Sequence, residues 1–95
     1  MTHFVYILAN KPHGAIYVGS ARDLRHRAEQ HKSGVVPGHT KKYNIKTLVW
    51  FEVHETLEAA LLREKQIKRW RRAWKDELIE KNNLQWNDIS SEIPL

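Results

Sequence analysis

The stretch GAIYVGSARDLRHRAEQH, residues 14–31, turns from a strand into a helix within a few positions. Its first half, AIYVG, is typical of a β-strand. In its second half, residues spaced by three and four share one face of a helix. That face consists of Leu24, Arg27, Ala28 and His31. The pattern predicts that an arginine and a histidine point toward the core, which is costly unless both groups have partners.

A second strand precedes this stretch, over residues 4–8. Residues 9–14 contain a proline and a glycine and read as a loop, so residues 4–8 and 15–19 are predicted to pair as an antiparallel hairpin. A pairing symmetric about the loop places Tyr6 opposite Tyr17. Both phenols then lie on one face of the sheet, as catalytic groups or as ordinary cross-strand packing.

The helix is predicted from about Asp23 to Lys32. Either Ser20 or Asp23 is suited to cap its first turn, and Gly34 is suited to end it. Residues 33–44 then read as a loop because they hold two glycines and a proline.

A third strand is predicted over residues 46–54. Its middle is almost continuously apolar, which favours a central strand covered on both faces. Thr56 is suited to cap the next helix, whose apolar stripe is interrupted by Glu64. The other members of that stripe are Leu57, Ala60, Leu61, Ile67 and Trp70.

The chain is predicted to restart a helix near Arg71 and to continue it to about Lys81. The inward residues of this segment are predicted to be Trp74, Leu78 and Ile79. Residues 82–95 form a tail anchored by Trp86. The fold class is therefore α+β, a small three-stranded and mainly antiparallel sheet flanked by helices. We expect residues 1–95 to form one domain, with a core over about 3–80.

The composition favours a polyanionic partner. The 95 residues hold 16 lysines and arginines against 11 acidic residues, a formal net charge of +5. The absence of cysteine excludes disulfides and thiolate metal sites. The sequence holds no apolar run of about 18 residues and no signal-peptide pattern, so we expect a cytoplasmic protein that binds nucleic acid and not a membrane.

Arg27 and Glu64 allow two interpretations. Charged residues on two apolar stripes can satisfy each other as a structural ion pair. They can also form the floor of a cleft in which Glu64 binds a cation and Arg27 faces a phosphate.

The segment REKQIKRWRRAWK, residues 63–75, contains seven basic residues, one acid and two tryptophans. It fits a solvated helix face, a membrane-surface helix or a set of phosphate contacts. We expect phosphate contacts, because crowded basic side chains repel unless a polyanion neutralises them. The candidate nucleic-acid-binding residues are Lys41, Lys42, Lys68, Arg69, Arg71 and Arg72.

Together these features resemble the GIY-YIG nuclease family over about residues 3–80. The family's motifs match, in order, Phe4-Val5-Tyr6, Tyr17-Val18-Gly19, Arg27, His31 and Glu64. Phe4 stands where the family usually has glycine. The family's late asparagine has three candidates, Asn82, Asn83 and Asn87.

The resemblance implies that Glu64 holds one divalent metal, Mg²⁺ or Mn²⁺, together with water. It implies that Tyr6 or Tyr17 deprotonates or positions the attacking water, and that Arg27 stabilises charge on the phosphate. His31 would orient a tyrosine or assist proton transfer. A phenol has a reference pKa of about 10, so it acts as a base only where a cation such as Arg27 or the metal lowers that pKa.

The function implied is a metal-dependent endonuclease acting on DNA, including structured DNA in repair or recombination, with RNA as another possible substrate. A non-catalytic nucleic-acid-binding module that retains the nuclease fold is the alternative. A third hypothesis is an interaction domain in which Arg27 and Glu64 form a structural pair.

Overall fold

A computed structural model describes residues 2–35 and 38–94 of the chain. Within these residues lie three strands, four α-helices and a short 3-10 helix. In chain order they are β1 His3–Ala9, β2 Ile16–Ala21, α1 Leu24–Ser33, α2 His39–Lys42, β3 Thr47–His54, α3 Leu57–Arg69, α4 Arg72–Glu80 and the 3-10 helix Ser90–Glu92. The sheet is antiparallel with strand order β2-β1-β3, which confirms the predicted α+β class.

The hairpin of β1 and β2 has a different register from the predicted one. Tyr6 lies opposite Gly19, and Tyr17 lies opposite Leu8. The cause is the loop, where the Asn10 amide donates to the Ala15 carbonyl at 3.1 Å and the Asn10 side chain accepts from the Ala15 amide at 2.9 Å. The pairing shifts by two residues, an even number, so both phenols still share a face.

The third strand is an edge strand, so its predicted central position is wrong. β1 takes the centre because it pairs with both β2 and β3. The run Leu48-Val49-Trp50 is buried for another reason: a bulge lies opposite Ile7 and Leu8. Val49 and Trp50 consequently face one side of the sheet together, while Leu48 faces the other.

The two faces of the sheet carry separate cores. On one face Val5 and Ile7 pack against Ala60 and Ile67 of α3 and Ile79 of α4. On the opposite face, Tyr6 belongs to a second cluster together with Phe4, Leu8, Leu24, Ile45, Leu48 and Ile93. Because β1 is central and almost fully buried, its alternating side chains supply both cores.

The helix boundaries follow local capping chemistry. The side chain of Asp23, and not that of Ser20, caps α1 by accepting from the His26 amide at 3.0 Å. Gly34 ends α1 with a left-handed φ of 74°, and Thr56 caps α3 through its hydroxyl. The predicted loop over 33–44 contains the single-turn helix α2. No described helix has the length and apolar character that crossing a membrane requires.

Four side chains that were predicted to point inward are exposed. Leu57, Leu61 and Trp74 are 53%, 42% and 45% exposed. Arg27 is also exposed, although its neighbours on the α1 face are buried. The contact stripe of α1 is narrower than predicted, and Arg27 lies at its margin. An exposed guanidinium needs no buried partner, which removes the expected burial cost of Arg27.

The tail covers the free edge of β3. The amide of Ile89 donates to the Leu48 carbonyl at 2.9 Å, and the Asn83 side chain donates to the Val49 carbonyl at 2.9 Å. Trp86 is buried, as predicted, and its indole donates to Glu80 at 2.8 Å. Asn83 is therefore engaged in holding the tail on the sheet.

Candidate active site

The candidate active site lies along β2, the edge strand between α1 and α3. Strand alternation turns Tyr17 and Gly19 toward the face that α1 covers, and turns Ser20 toward the face that α3 covers. Both helices contact β2. Side chains from the two helices therefore meet at this edge without crossing the sheet.

Three aromatic rings from β1, β2 and α1 form one cluster. The ring centroids of Tyr6 and His31 are 6.3 Å apart, those of Tyr17 and His31 are 5.7 Å apart, and those of the two tyrosines are 6.2 Å apart. The Tyr6 hydroxyl lies 3.5 Å from Nε2 of His31, at the outer limit of a hydrogen bond. Tyr6 and His31 are buried and Tyr17 is half-buried, so Tyr17 is the phenol nearest to solvent.

Gly19 makes the close approach of the two tyrosines possible. A Cβ at this position would lie 2.8 Å from the Tyr6 hydroxyl oxygen and 2.8 Å from Cε2 of Tyr17. Real Cβ atoms essentially never come so close to a neighbour. The glycine of the second motif is thus required by packing, because the Tyr6 ring occupies the space of a side chain.

Glu64 approaches the same edge from α3. Its side chain is 17% exposed, and its carboxylate accepts a hydrogen bond from Lys68 Nζ at 2.5 Å. It also hydrogen-bonds with the Ser20 side chain. Burial by itself would raise the pKa of Glu64, but the hydrogen bonds from Lys68 and Ser20 and the charge of Lys68 outweigh it and lower that pKa. Glu64 is therefore ionised at neutral pH.

Arg27 reaches this edge from α1. It lines a cavity of about 360 Å³ together with Ser20 of β2 and Leu57 and Ala60 of α3. Ser20 thus lies between the cavity of Arg27 and the carboxylate of Glu64. Within the described part of the chain, Glu64 forms its ion pair with Lys68 and none with Arg27. Of the two interpretations that the sequence allows, the structural ion pair of Arg27 and Glu64 is therefore not formed.

The proton affinities in the aromatic cluster are set by burial. Burial and the neighbouring Tyr17 raise the pKa of Tyr6 well above its ordinary value of 10, although Arg27 lowers it. Burial and the positive charge of Arg27 lower the pKa of His31 below 6.5. At neutral pH Tyr6 is therefore protonated and His31 is neutral, and the expected lowering of the Tyr6 pKa by Arg27 is outweighed.

The donor set at this edge fits magnesium or manganese better than zinc. Among the described residues, no three His, Asp or Glu side chains cluster as a zinc site would require. Mg²⁺ keeps several waters and is usually bound by one or two carboxylates plus phosphate oxygens. One ionised, half-buried carboxylate beside an open cavity is consistent with that requirement.

The structure divides the predicted nucleic-acid-binding residues by what they contact. Lys68 is paired with Glu64, and Arg72 binds Asp76 at 2.7 Å and the Gly14 carbonyl. The guanidinium of Arg71 lies over the Trp74 ring at 4.8 Å. The remaining three are exposed basic residues, namely Lys41, Lys42 and Arg69. Arg72 therefore joins α4 to the hairpin loop and Lys68 is held by Glu64, whereas Lys41, Lys42, Arg69 and Arg71 are exposed to solvent.

Sequence reasoning missed two polar residues of this site. Ser20 was considered only as a helix cap, yet its side chain bonds Glu64. Thr40 lies in the predicted loop, yet it is buried and its hydroxyl lies 3.2 Å from Nδ1 of His31. Neither position carries a local pattern, because each acquires its partner only when a distant helix packs against it.

Known proteins resemble this chain over most of its length. A profile of the GIY-YIG catalytic domain matches residues 2–77, which include β1, β2, α1 and α3. UPF0213 proteins of Staphylococcus aureus strains Mu50 and N315 are each 40% identical over 78 residues, which cover 82% of this chain and 94% of theirs. The solution NMR structure of the UPF0213 protein BH0048 from Bacillus halodurans has a TM-score of 0.57 and 27% identity, and the match covers 93% of both chains.

Proposed function

This chain belongs to the GIY-YIG family, whose domain implies nuclease-type function, and we propose that it is a metal-dependent endonuclease hydrolysing phosphodiester bonds in DNA. The observation that carries the proposal is the meeting of five side chains from four elements at the β2 edge. They are Tyr6, Tyr17, Arg27, His31 and Glu64. An ionised carboxylate, an exposed guanidinium and a neutral imidazole at one edge are the groups that phosphodiester hydrolysis needs.

Arg27 is the group that binds the scissile phosphate. Its guanidinium is exposed and lines the cavity beside Ser20, so a phosphate can reach it without displacing another side chain. A guanidinium binds two phosphate oxygens at once, and its positive charge stabilises the negative charge that develops in the transition state.

The tyrosines and His31 position the attacking water and accept its proton. Tyr17 is the more exposed phenol and positions the water by hydrogen bonding. When the Tyr6 hydroxyl, which lies 3.5 Å from Nε2 of His31, donates to that nitrogen, its oxygen is able to accept a proton from water. As the water loses a proton to Tyr6, the proton of Tyr6 passes to His31, whose lowered pKa keeps its ring unprotonated beforehand.

Glu64 would hold Mg²⁺ or Mn²⁺, which when bound neutralises charge on the leaving oxygen. The carboxylate is already ionised, since its pKa is lowered by Lys68 and Ser20 despite burial. Lys68 would give up its ion pair with Glu64 on metal binding and become free to contact phosphate.

The decisive experiment compares wild type with Glu64→Gln on supercoiled, single-stranded and branched DNA and on RNA. Each reaction contains Mg²⁺, Mn²⁺ or EDTA, and thermal melts verify folding. Glu58→Gln is the matched control, because Glu58 is exposed on the same helix and loses the same charge. We expect metal-dependent cleavage that falls at least about 100-fold in Glu64→Gln and is unchanged in Glu58→Gln.

The alternative function is a nucleic-acid-binding module without catalysis. It is favoured by the pairing of Glu64 with Lys68, which satisfies the carboxylate without a metal. Binding that persists with no cleavage on any substrate would support this alternative. Either function predicts that neutralising Arg69 and Arg71 lowers the salt dependence of binding by roughly two phosphate contacts, whereas Lys11→Ala in the hairpin loop does not.

A further inference from the structure

His31 is enclosed on both sides of its ring by hydroxyl groups. Its Nε2 faces the Tyr6 hydroxyl at 3.5 Å and its Nδ1 faces the Thr40 hydroxyl at 3.2 Å. His31 and Thr40 are 4% and 5% exposed, so water does not substitute for either partner. Among the described residues no buried side-chain nitrogen or oxygen lacks a hydrogen-bond partner, which means that both ring contacts are used.

Thr40 is held in place by the segment that carries it. It lies in the single-turn helix α2, which begins after Gly38 with a bond from the Lys42 amide to the Gly38 carbonyl at 3.0 Å. The Thr40 carbonyl accepts from the Ile45 amide at 2.8 Å, and Ile45 is fully buried in the core on the α1 side of the sheet. The position of the Thr40 hydroxyl is thus fixed by the core and not by solvent.

A neutral imidazole carries one N–H, and the two hydroxyls compete for its single lone pair. The phenol of Tyr6 is the more acidic hydroxyl and therefore the stronger donor, so it takes the lone pair at Nε2. Thr40 must then accept the N–H at Nδ1. The opposite arrangement would make the weaker donor, Thr40, bond the lone pair and would turn the Nε2 proton toward Tyr6.

We propose that Thr40 is a positioning residue that holds neutral His31 in the tautomer protonated at Nδ1, so that the Nε2 lone pair faces the Tyr6 hydroxyl. This inference rests on the proposed nuclease function for its catalytic meaning. One proton then moves from the Tyr6 oxygen to Nε2 and one from water to the Tyr6 oxygen. The products of this step are hydroxide, neutral tyrosine and imidazolium, and the charges balance.

The tautomer is measured directly by ¹⁵N NMR of the histidine side chains in the full chain, without metal or nucleic acid. We expect wild-type His31 at neutral pH to show a protonated Nδ1 and an unprotonated Nε2. Thr40→Val removes the acceptor while keeping the side-chain volume, and is expected to shift the ring toward the Nε2-protonated form. Thr40→Ser restores the acceptor and the wild-type pattern, and Thr47→Val in β3 is the matched control.

The same variants are assayed for cleavage. Thr40→Val is expected to lower kcat about 10- to 100-fold with little change in KM, and Thr40→Ser to recover most of it. A wild-type ring protonated at Nε2, or an Nδ1-protonated ring that persists in a folded Thr40→Val, would overturn the inference. The wild-type spectrum decides it even if Thr40→Val does not fold. The predicted tautomer in a protein that cleaves nothing would instead refute the nuclease function and leave the role of Thr40 in fixing the ring intact.

Discussion

Replacing Gly19 with alanine tests the packing that brings the two tyrosines together. The new Cβ would lie 2.8 Å from the Tyr6 oxygen, 2.9 Å from Tyr6 Cζ and 2.8 Å from Tyr17 Cε2, whereas ordinary contacts begin at 3.4 Å. The rings would have to retreat by 0.6 Å, the difference between 3.4 and 2.8 Å. Tyr6 is 2% exposed and packed in the core on the α1 side of the sheet, so this movement disturbs its other neighbours.

The cost follows from two opposing effects. Overpacking a filled core costs about 1–3 kcal/mol. Gly19 does not have a left-handed φ, so alanine fits its backbone and recovers about 0.4–1 kcal/mol from the unfolded state. A net loss of about 1–2 kcal/mol remains, which lowers Tm by roughly 5–15 °C in a domain of this size.

The assay is urea and thermal unfolding followed by circular dichroism, for Gly19→Ala alone and combined with Tyr6→Phe. Tyr6→Phe removes one of the three crowding atoms, so the alanine should cost about 0.5–1 kcal/mol less in that background. A Gly19→Ala protein as stable as wild type would refute the reasoning. Strictly additive effects of the two substitutions would show that the destabilisation arises elsewhere.

Three further predictions concern charged groups. Arg27→Lys keeps the positive charge but loses the contact of the guanidinium with two phosphate oxygens, so kcat should fall about 10²–10³-fold. A thermal melt should show unchanged folding, and full activity would exclude a role specific to the guanidinium. Lys68→Met removes the ammonium group that competes with a metal for Glu64, so the pKa of Glu64, measured by NMR titration, should rise. The affinity for Mn²⁺, measured by calorimetry, should increase about two- to fivefold. Weaker Mn²⁺ binding would contradict this prediction. Burial would raise the pKa of Asp88, but the 2.7 Å ion pair with Lys32 helps to lower that pKa below 3.8. The ion pair therefore stabilises the fold above pH 3.8, and this contribution is lost as the pH falls through the folded-state pKa. Lys32→Met should therefore lower Tm at pH 7 and have a smaller effect in acid, and an equal effect at both pH values would show that charge is not the cause.

Local chemistry was readable from the sequence. The caps Asp23, Gly34 and Thr56 act within one helical turn, and the structure places helix ends at all three. The break near Arg71 and the anchoring of Trp86 were also predicted correctly. These features depend on residues close in the chain, so their patterns are visible without a fold.

Strand order and register were not readable in the same way. The apolar run of β3 is consistent with a central strand, but it arises from a bulge and from the tail that covers the edge. The register of the hairpin depends on two hydrogen bonds between Asn10 and Ala15 that the hydrophobic pattern does not encode. The strand order and the register both depend on contacts whose geometry is not determined by the alternation of apolar and polar side chains.

The sequence by itself determined the three strands, the three longer helices and the α+β class, and it indicated the candidate site residues other than Ser20 and Thr40. It left two interpretations of Arg27 and Glu64 open, a structural ion pair or the floor of a cleft, because helical spacing gives a face and not the depth at which that face is buried. Only the tertiary structure placed Arg27 at a cavity, paired Glu64 with Lys68 and brought Thr40 to His31. A local sequence pattern restricts where a side chain can point. Its partner depends on how elements distant in the chain pack together, and that packing is determined by the core as a whole.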